Sequence, residues 1–269
     1  MLNYFSNIPL VRGQAIIYGF EIQFNPWLEE FFASNPSKQD VLDFVKAHVT
    51  KVISAYKDNG KIKEWVIVNE VGQEDLFYDV AGFDYVTTAF NAARSSDSSA
   101  YLIYNFNQNN LKPNEFTQNA MKTLMEENLV DGLGLQFHLD GNTNITEVGI
   151  KKLLQSYIDI GISPENISIS EFDVNMHNVG GTDAIRRQRK GEVVFMVLKA
   201  CKEIGIKKIV FWEATYPDKY NWLEQGNQDN YWRSPRNDAS LFTLNDKEEI
   251  VPDFAYYAGL KALFEDESK

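Results

Sequence analysis

The sequence of 269 residues is poor in several residue types, and each scarcity excludes a class of protein. It holds one cysteine, Cys201, so neither an intrachain disulfide nor a cysteine-based metal cluster is expected. No apolar run is long enough for a membrane span, and the opening MLNYFSNIPLVRG lacks the apolar centre of a signal peptide. We also find no metal or cofactor motif. We therefore expect any chemistry of this chain to be carried out by its side chains without a metal or cofactor.

Positive charge is the next deficit. Lysine and arginine total 26 against 38 aspartates and glutamates, which gives a formal net charge of -12. Nucleic acids and anionic membranes would repel such a chain, so neither is an expected partner. An uncharged polymer such as a polysaccharide would not be repelled.

Aromatic and apolar residues are abundant. The 13 tyrosines, 18 phenylalanines and 5 tryptophans suit both core packing and stacking on sugar rings. With 44% apolar residues the chain can bury a large core, and we expect residues 1–269 to form a single domain.

Strand and helix patterns alternate along the chain, which is typical of parallel βα units. Strands are predicted near residues 15–18, 65–69, 101–105, 132–137, 166–171 and 208–212. Helices are predicted near 37–56, 80–94, 113–127, 145–160, 183–204 and 253–264. The expected fold is an α/β barrel of the (β/α)8 TIM type. About six units are recognisable where a closed barrel needs eight, so strands 1 and 2 are expected to be missing.

Two of the predicted strands end in a glutamate. Glu171 closes the β-branched run 166–171, and the apolar run 64–70 likewise stops at an amide and a carboxylate, Asn69 and Glu70. Catalytic groups of parallel barrels lie at the carboxyl ends of strands, and glycoside hydrolysis uses a pair of carboxyl groups. Either glutamate could instead be a solvated residue at a strand end.

Taken together, these motifs resemble glycoside hydrolase family 10, the retaining endo-β-1,4-xylanases, from about Val11 to the C-terminus. Each motif is short, but several occur in the right order. They are VRG at 11–13, WVIVNE at 65–70, GLQFHL at 134–139, ISEFD at 169–173, FW at 211–212 and DKYNW at 218–222.

The resemblance implies cleavage of internal β-1,4 linkages in xylan or xylo-oligosaccharides by double displacement. Glu70 would be the acid/base, Glu171 the nucleophile, and Asn69 a ligand of the sugar next to the scissile bond. The other implied substrate-binding residues are Gln136, His138, Trp212, Trp222 and, on a fainter match, Trp27. It implies no metal or cofactor, and it implies secretion, although no signal peptide is present in this chain.

The residues themselves allow a check on some of these roles. His138 could orient Glu171, or it could be a core histidine bonded to backbone; His48 and His177 lack any such context and are expected to be structural. Trp65 begins a strand and is expected to pack in the core. Trp232 could be a further sugar platform or a packing residue.

Departures from the family pattern predict a weak or altered hydrolase. The family's first two βα units carry sugar ligands that have no counterpart here. On its third strand the family has histidine where this chain has Gln14 and Gly19, and tryptophan where it has Tyr18. Glu213 replaces a glycine after the eighth strand. Lost polar contacts to the sugar cost several kcal/mol in the transition state, or a few powers of ten in rate.

Several alternatives stay open at this point. A symmetric partner or second chain could complete the barrel, residues 1–9 could cover the gap, or the gene product could be longer. The chain could also be a non-catalytic carbohydrate-binding relative, or a β-glycosidase of another family in the same barrel superfamily.

Overall fold

The structure, a computed structural model, describes residues 11–21, 25–212, 241–244, 247 and 249–264. By contact density the chain divides into two compact units. The first comprises Met1–Asn107 and Glu115–Gly134, and the second Gln108–Asn114 and Leu135–Lys269. No described helix combines the length and apolar character that crossing a membrane would require.

The first unit is built on parallel strands. β1 (Val11–Gly13) and β2 (Ile17–Tyr18) both pair with β3 (Ile62–Asn69), and β3 pairs with β4 (Tyr101–Phe106). β5 (Gly132–Leu135) lies next to β4. Residues 65–69 of β3 are buried without a break, as expected for a strand covered on both faces.

The helices of the first unit are α1 (Pro26–Ala33), α2 (Lys38–Tyr56), α3 (Leu76–Ala81), α4 (Asp84–Ser96) and α5 (Glu115–Glu126). α2 follows the prediction for 37–56 closely because local signals fix it. Ser37 and Asp40 form a reciprocal capping box at its start. Val41 and Val45 are fully buried four residues apart, as are Val49 and Ile53 after them.

One predicted helix of the first unit was wrong in its extent. Instead of a single helix over 80–94, the structure has α3 and α4. The break falls at Gly82, whose φ of 61° lies in the left-handed region where glycine ends helices readily. The Gly82 N–H still donates to the Tyr78 carbonyl, so α3 ends without an orphaned group there.

The second unit has β6 (His138–Asp140), β7 (Ile167–Asn175) and β8 (Lys208–Phe211), with β7 parallel to and between the other two. β9 (Phe242–Leu244) and β10 (Ile250–Pro252) form an antiparallel pair. The helices are α6 (Glu147–Ile158), α7 (Asp183–Ile204) and α8 (Phe254–Phe264).

A buried ion pair joins α7 to Asp253, the residue that precedes α8. Lys190 Nζ lies 2.5 Å from Asp253 Oδ2, and the two side chains are 0% and 2% exposed. Removing one partner of such a pair would leave an uncompensated buried charge, so this contact ties the start of α8 to α7. α7 has the predicted bounds of 183–204, because the Thr182 side chain caps its start and Gly205, at φ 95°, ends it.

Candidate functional site

Glu70 follows β3 in an unusual backbone conformation. Its φ is 54°, in the left-handed region that residues other than glycine seldom occupy. Its N–H donates to the Asn105 carbonyl at 3.1 Å, and its own carbonyl accepts from the Gln73 N–H at 3.2 Å. Strain of this kind persists only where surrounding bonds hold it, and it concentrates at functional sites.

A chain of side-chain hydrogen bonds holds the Glu70 carboxyl. Tyr18 Oη donates to Oε2 at 3.0 Å, and Asn69 Nδ2 donates to Oε1 at 3.3 Å. Asn105 Nδ2 in turn donates to Asn69 Oδ1 at 2.8 Å. Since Asn69 Oδ1 accepts from Asn105, its NH2 group has to face Glu70. Both carboxyl oxygens therefore meet a donor.

Strand register brings these residues together. Tyr18 and Asn105 are both aligned with Asn69, one from β2 and the other from β4. Three parallel strands thus present polar side chains at the same level of the sheet, at their carboxyl ends. Asn69 is 7% exposed and Asn105 fully buried, so the hydrogen bond between these two amides is shielded from water.

Asp75 lies in the loop that follows Glu70 and is held there by hydrogen bonds. Its carboxylate accepts hydrogen bonds from Tyr85 Oη at 2.6 Å and from the N–H groups of Gly72, Phe77 and Tyr78 at 3.1 to 3.2 Å. Burial raises the pKa of Asp75, and these four donors act against that rise. Burial beside Asp75 also raises the pKa of Tyr85 well above its usual value.

Asp75 also occupies the space beside Gly19. A Cβ at Gly19 would lie 1.8 Å from Asp75 Oδ1 and 3.1 Å from its Cα. The resemblance aligns Gly19 with a sugar-binding histidine. In this chain the room for any side chain at that position is taken by a carboxylate with four donors.

Glu171 anchors a second cluster, in the second unit. Glu171 and Asp173 are two residues apart on β7 and so point to the same face. His138 of β6 is aligned with Asp173. Its Nε2 lies 3.3 Å from Glu171 Oε2 and its Nδ1 lies 3.0 Å from Asp173 Oδ2. One imidazole therefore bridges two buried carboxyl groups.

This bridge sets the charge of His138. Burial, the largest single influence, lowers the pKa of His138, but the hydrogen bonds and charges of Asp173 and Glu171 outweigh it and raise the pKa to about 10. His138 is therefore an imidazolium at neutral pH. A cation at hydrogen-bond distance stabilises a carboxylate, which is the form of a carboxyl group that can attack carbon.

Trp212 lies beside this cluster. Its ring centroid lies 5.9 Å from that of His138, edge to face, and 53% of its surface is exposed. Its backbone N–H donates to the Phe172 carbonyl at 3.1 Å. A half-exposed indole beside a buried charged group offers a flat apolar surface for a ligand. Gln136 lies in the short link from β5 to β6 and is fully buried.

The remaining predicted residues lie elsewhere. Trp27 is on α1, where its ring centroid lies 5.5 Å from that of Phe44 of α2. The residue is 49% exposed. Trp222, together with Trp232 and Glu213, lies outside the described residues. In the part of the chain that is described, no group of three or more histidine, cysteine, aspartate or glutamate side chains is arranged as a metal site.

Sequence reasoning assigned no role to three residues that the structure brings into the clusters: Tyr18, Asn105 and Asp173. Tyr18 and Asn105 are the last residues of the predicted strands 15–18 and 101–105, which was a usable signal. Asp173 follows Glu171 at the two-residue spacing that places side chains on one face of a strand.

The sequence profile of Glycosyl hydrolase family 10 matches residues 6–252. The chain belongs to this family. The chain is also 28% identical over 225 residues to endo-1,4-beta-xylanase B of Thermotoga neapolitana, covering 79% of this chain and 62% of that protein. It is 27% identical over 259 residues to exoglucanase XynX of Acetivibrio thermocellus, covering 90% of this chain and 23% of that one.

Solved structures of family 10 members resemble this structure. Xylanase 10B from Thermotoga petrophila RKU-1, solved in complex with xylobiose, aligns with a TM-score of 0.74 and 25% identity, covering 94% of this chain and 73% of that one. Native xylanase 10B from Thermotoga maritima aligns with a TM-score of 0.74 and 25% identity, covering 94% and 74%. The predicted barrel-type α/β fold is confirmed. The chain spans less than two thirds of the length of the Thermotoga neapolitana relative.

Proposed function

We propose that this family 10 chain is a retaining glycoside hydrolase that cleaves internal β-1,4 linkages of xylan. The observation that supports this most directly is the Glu171 cluster. A buried glutamate in the middle of β7, bridged by an imidazolium to a second buried carboxyl and flanked by a half-exposed tryptophan, has the charge and the surface that a glycosidase nucleophile needs.

In the proposed reaction Glu171 attacks the anomeric carbon, forming a carbon–oxygen bond as the glycosidic bond breaks. Glu70 gives its proton to the departing oxygen. In the second step Glu70 takes a proton from water, the water oxygen bonds to the anomeric carbon, and Glu171 is released. Double displacement returns the original anomeric configuration and leaves both glutamates as they began.

Two further roles follow from the contacts in each unit. Asn69 bonds Glu70 and so can hold the acid/base while contributing to sugar binding. His138 holds Glu171 through Nε2 and is itself held by Asp173 through Nδ1. Trp212 supplies a ring for stacking against a sugar, and we propose the same for Trp222. Gln136 and Trp27 complete the proposed substrate-binding set.

Xylan or a xylo-oligosaccharide is the proposed substrate. Relatives named as endo-1,4-beta-xylanases and a similar structure solved with xylobiose support it. The exoglucanase among the relatives makes a β-glucan the competing substrate. We also expect the rate to be low, because Asp75 fills the space where the resemblance places a sugar-binding histidine.

The test is turnover of xylan and of an aryl β-xyloside, with aryl β-glucoside and β-mannoside for comparison. Glu171→Ala should abolish turnover, and Glu70→Ala should lower it while azide restores part of the rate. Glu165→Ala is the matched control, since Glu165 is exposed at the opposite end of β7. NMR of the first-formed product should show the β anomer; an α product would exclude double displacement.

A second candidate is carbohydrate binding without catalysis, which the occupied space at Gly19 favours. Xylo-oligosaccharide binding measured by calorimetry, with no turnover in wild type at high protein concentration, would establish it. In that case Glu171→Ala should leave the affinity nearly unchanged.

A further inference from the structure

The hydrogen bond between Tyr18 and Glu70 joins residues 52 positions apart. We propose that Tyr18 is a positioning residue that fixes the Glu70 carboxyl for proton transfer. This inference rests on the proposed function, because it concerns the acid/base of that reaction. The hydrogen bond itself is observed independently of that function, since it lies within the first unit.

The backbone around Tyr18 is held on both sides. Tyr18 is aligned with Asn69 in the parallel pairing of β2 with β3. The next residue, Gly19, accepts a hydrogen bond from the Leu76 N–H at 3.1 Å, and Phe20 bridges to Asp75. Phe20 also packs against the Tyr18 ring at 6.0 Å. The hydroxyl is therefore delivered by a segment anchored to β3 and to the start of α3.

A glutamate carboxyl needs such a contact because its last torsion is soft. Rotation about the terminal sp³–sp² bond of glutamate has broad minima, so the carboxyl plane is not set by the backbone. Here Tyr18 donates to Oε2 at 3.0 Å and Asn69 donates to Oε1 at 3.3 Å. The tyrosine contact is the shorter of these two, and its loss would remove a donor that holds Oε2 in the carboxyl plane.

Tyrosine suits this task for a chemical reason. Its hydroxyl can donate to a carboxylate and can accept from a protonated carboxyl, whereas the amide NH2 of Asn69 only donates. Glu70 changes protonation twice in the proposed reaction. Tyr18 can keep its hydrogen bond to Oε2 whichever carboxyl oxygen carries the proton, so it can hold the orientation of the carboxyl while the proton leaves and returns.

The test is Tyr18→Phe, which removes one oxygen and keeps the ring. General acid catalysis contributes about 10²- to 10⁴-fold where the leaving group needs a proton. For an aryl β-xyloside with a poorly acidic phenol we expect kcat/KM to fall about tenfold to a hundredfold. For the dinitrophenyl xyloside, whose phenolate leaves unprotonated, we expect a change below about threefold. kcat/KM reports only the first step, so it isolates Glu70 as acid.

Tyr56→Phe is the matched control. Tyr56 ends α2 and packs against Trp65 at 6.2 Å, in the first half of β3 and away from the strand end. Tyr56→Phe should leave kcat/KM unchanged for both substrates. The dinitrophenyl substrate also reports folding, because a Tyr18→Phe variant that retains this activity has to be folded.

The outcomes separate the two proposals. An inactive wild type overturns the proposed function and this inference with it. An active wild type whose Tyr18→Phe variant is unchanged, or loses both substrates equally, overturns this inference alone. Selective loss on the poor leaving group supports both.

Discussion

The contact between Gly19 and Asp75 yields a prediction that can be worked from the structure. Gly19→Ala would place a methyl group 1.8 Å from Asp75 Oδ1, well inside van der Waals contact. The oxygen cannot move freely, because Asp75 is 2% exposed and holds four hydrogen bonds. The Asp75 Cα, at 3.1 Å, limits retreat of the backbone as well.

The magnitude follows from the two ways in which the clash can be relieved. Forcing an extra carbon into a packed site costs about 1 to 3 kcal/mol. Turning Asp75 aside would break hydrogen bonds worth about 0.5 to 1.5 kcal/mol each, or more for a charged acceptor. We therefore expect Gly19→Ala to lower the free energy of unfolding by about 2 to 4 kcal/mol, measured by urea denaturation.

A control and a double mutant sharpen the test. Gly180→Ala adds the same methyl group where nothing lies within 4 Å, and it should change the unfolding free energy by less than about 0.5 kcal/mol. Asp75→Ala removes the obstructing carboxylate, so Gly19→Ala should cost less in that background. If the two substitutions were additive, or if Gly19→Ala matched Gly180→Ala, the steric argument would be refuted.

Three further predictions concern the two clusters. Glu70 has φ 54°, a conformation that glycine adopts freely. Glu70→Gly should therefore be more stable than Glu70→Ala by about 1 kcal/mol in thermal unfolding. Equal stability of the two variants would contradict backbone strain at this position. His138 has its pKa raised from 6.5 to about 10, so its contribution to stability is full below pH 6.5 and is lost as pH rises through 10. The stability gap between wild type and His138→Gln should therefore shrink by a few kcal/mol (about 1.4 per pKa unit) between pH 6 and pH 10, and a constant gap would exclude the imidazolium. Trp212→Ala should raise KM for xylan about fivefold with a smaller change in kcat, as expected for a ring that binds sugar. Trp27→Ala tests the ring on α1 in the same assay. An unchanged KM would remove the substituted ring from the substrate-binding set.

Elements whose ends are set by nearby residues were predictable from the sequence. α2 and α7 have their predicted bounds to within a residue because the Ser37 box and the Thr182 cap act over three positions. The exception, the helix expected over 80–94, failed at Gly82, a glycine inside an otherwise helical pattern. Glu70 directly follows β3, as its short local pattern predicted, but the strand expected to end at Glu171 was wrong in its extent, because β7 continues to Asn175 and leaves Glu171 in its middle.

The sequence by itself thus determined the order of strands and helices and singled out the two glutamates that we propose to be catalytic. Only the tertiary structure decided what each carboxyl touches. The register of separate strands sets three contacts: Tyr18 with Glu70, Asn105 with Asn69, and His138 with Asp173. The space beside Gly19 is filled because Asp75, the N-cap residue of α3, lies there. Helix ends and strand ends depend on residues a few positions apart, whereas register is fixed by packing across the sheet, which no local pattern records.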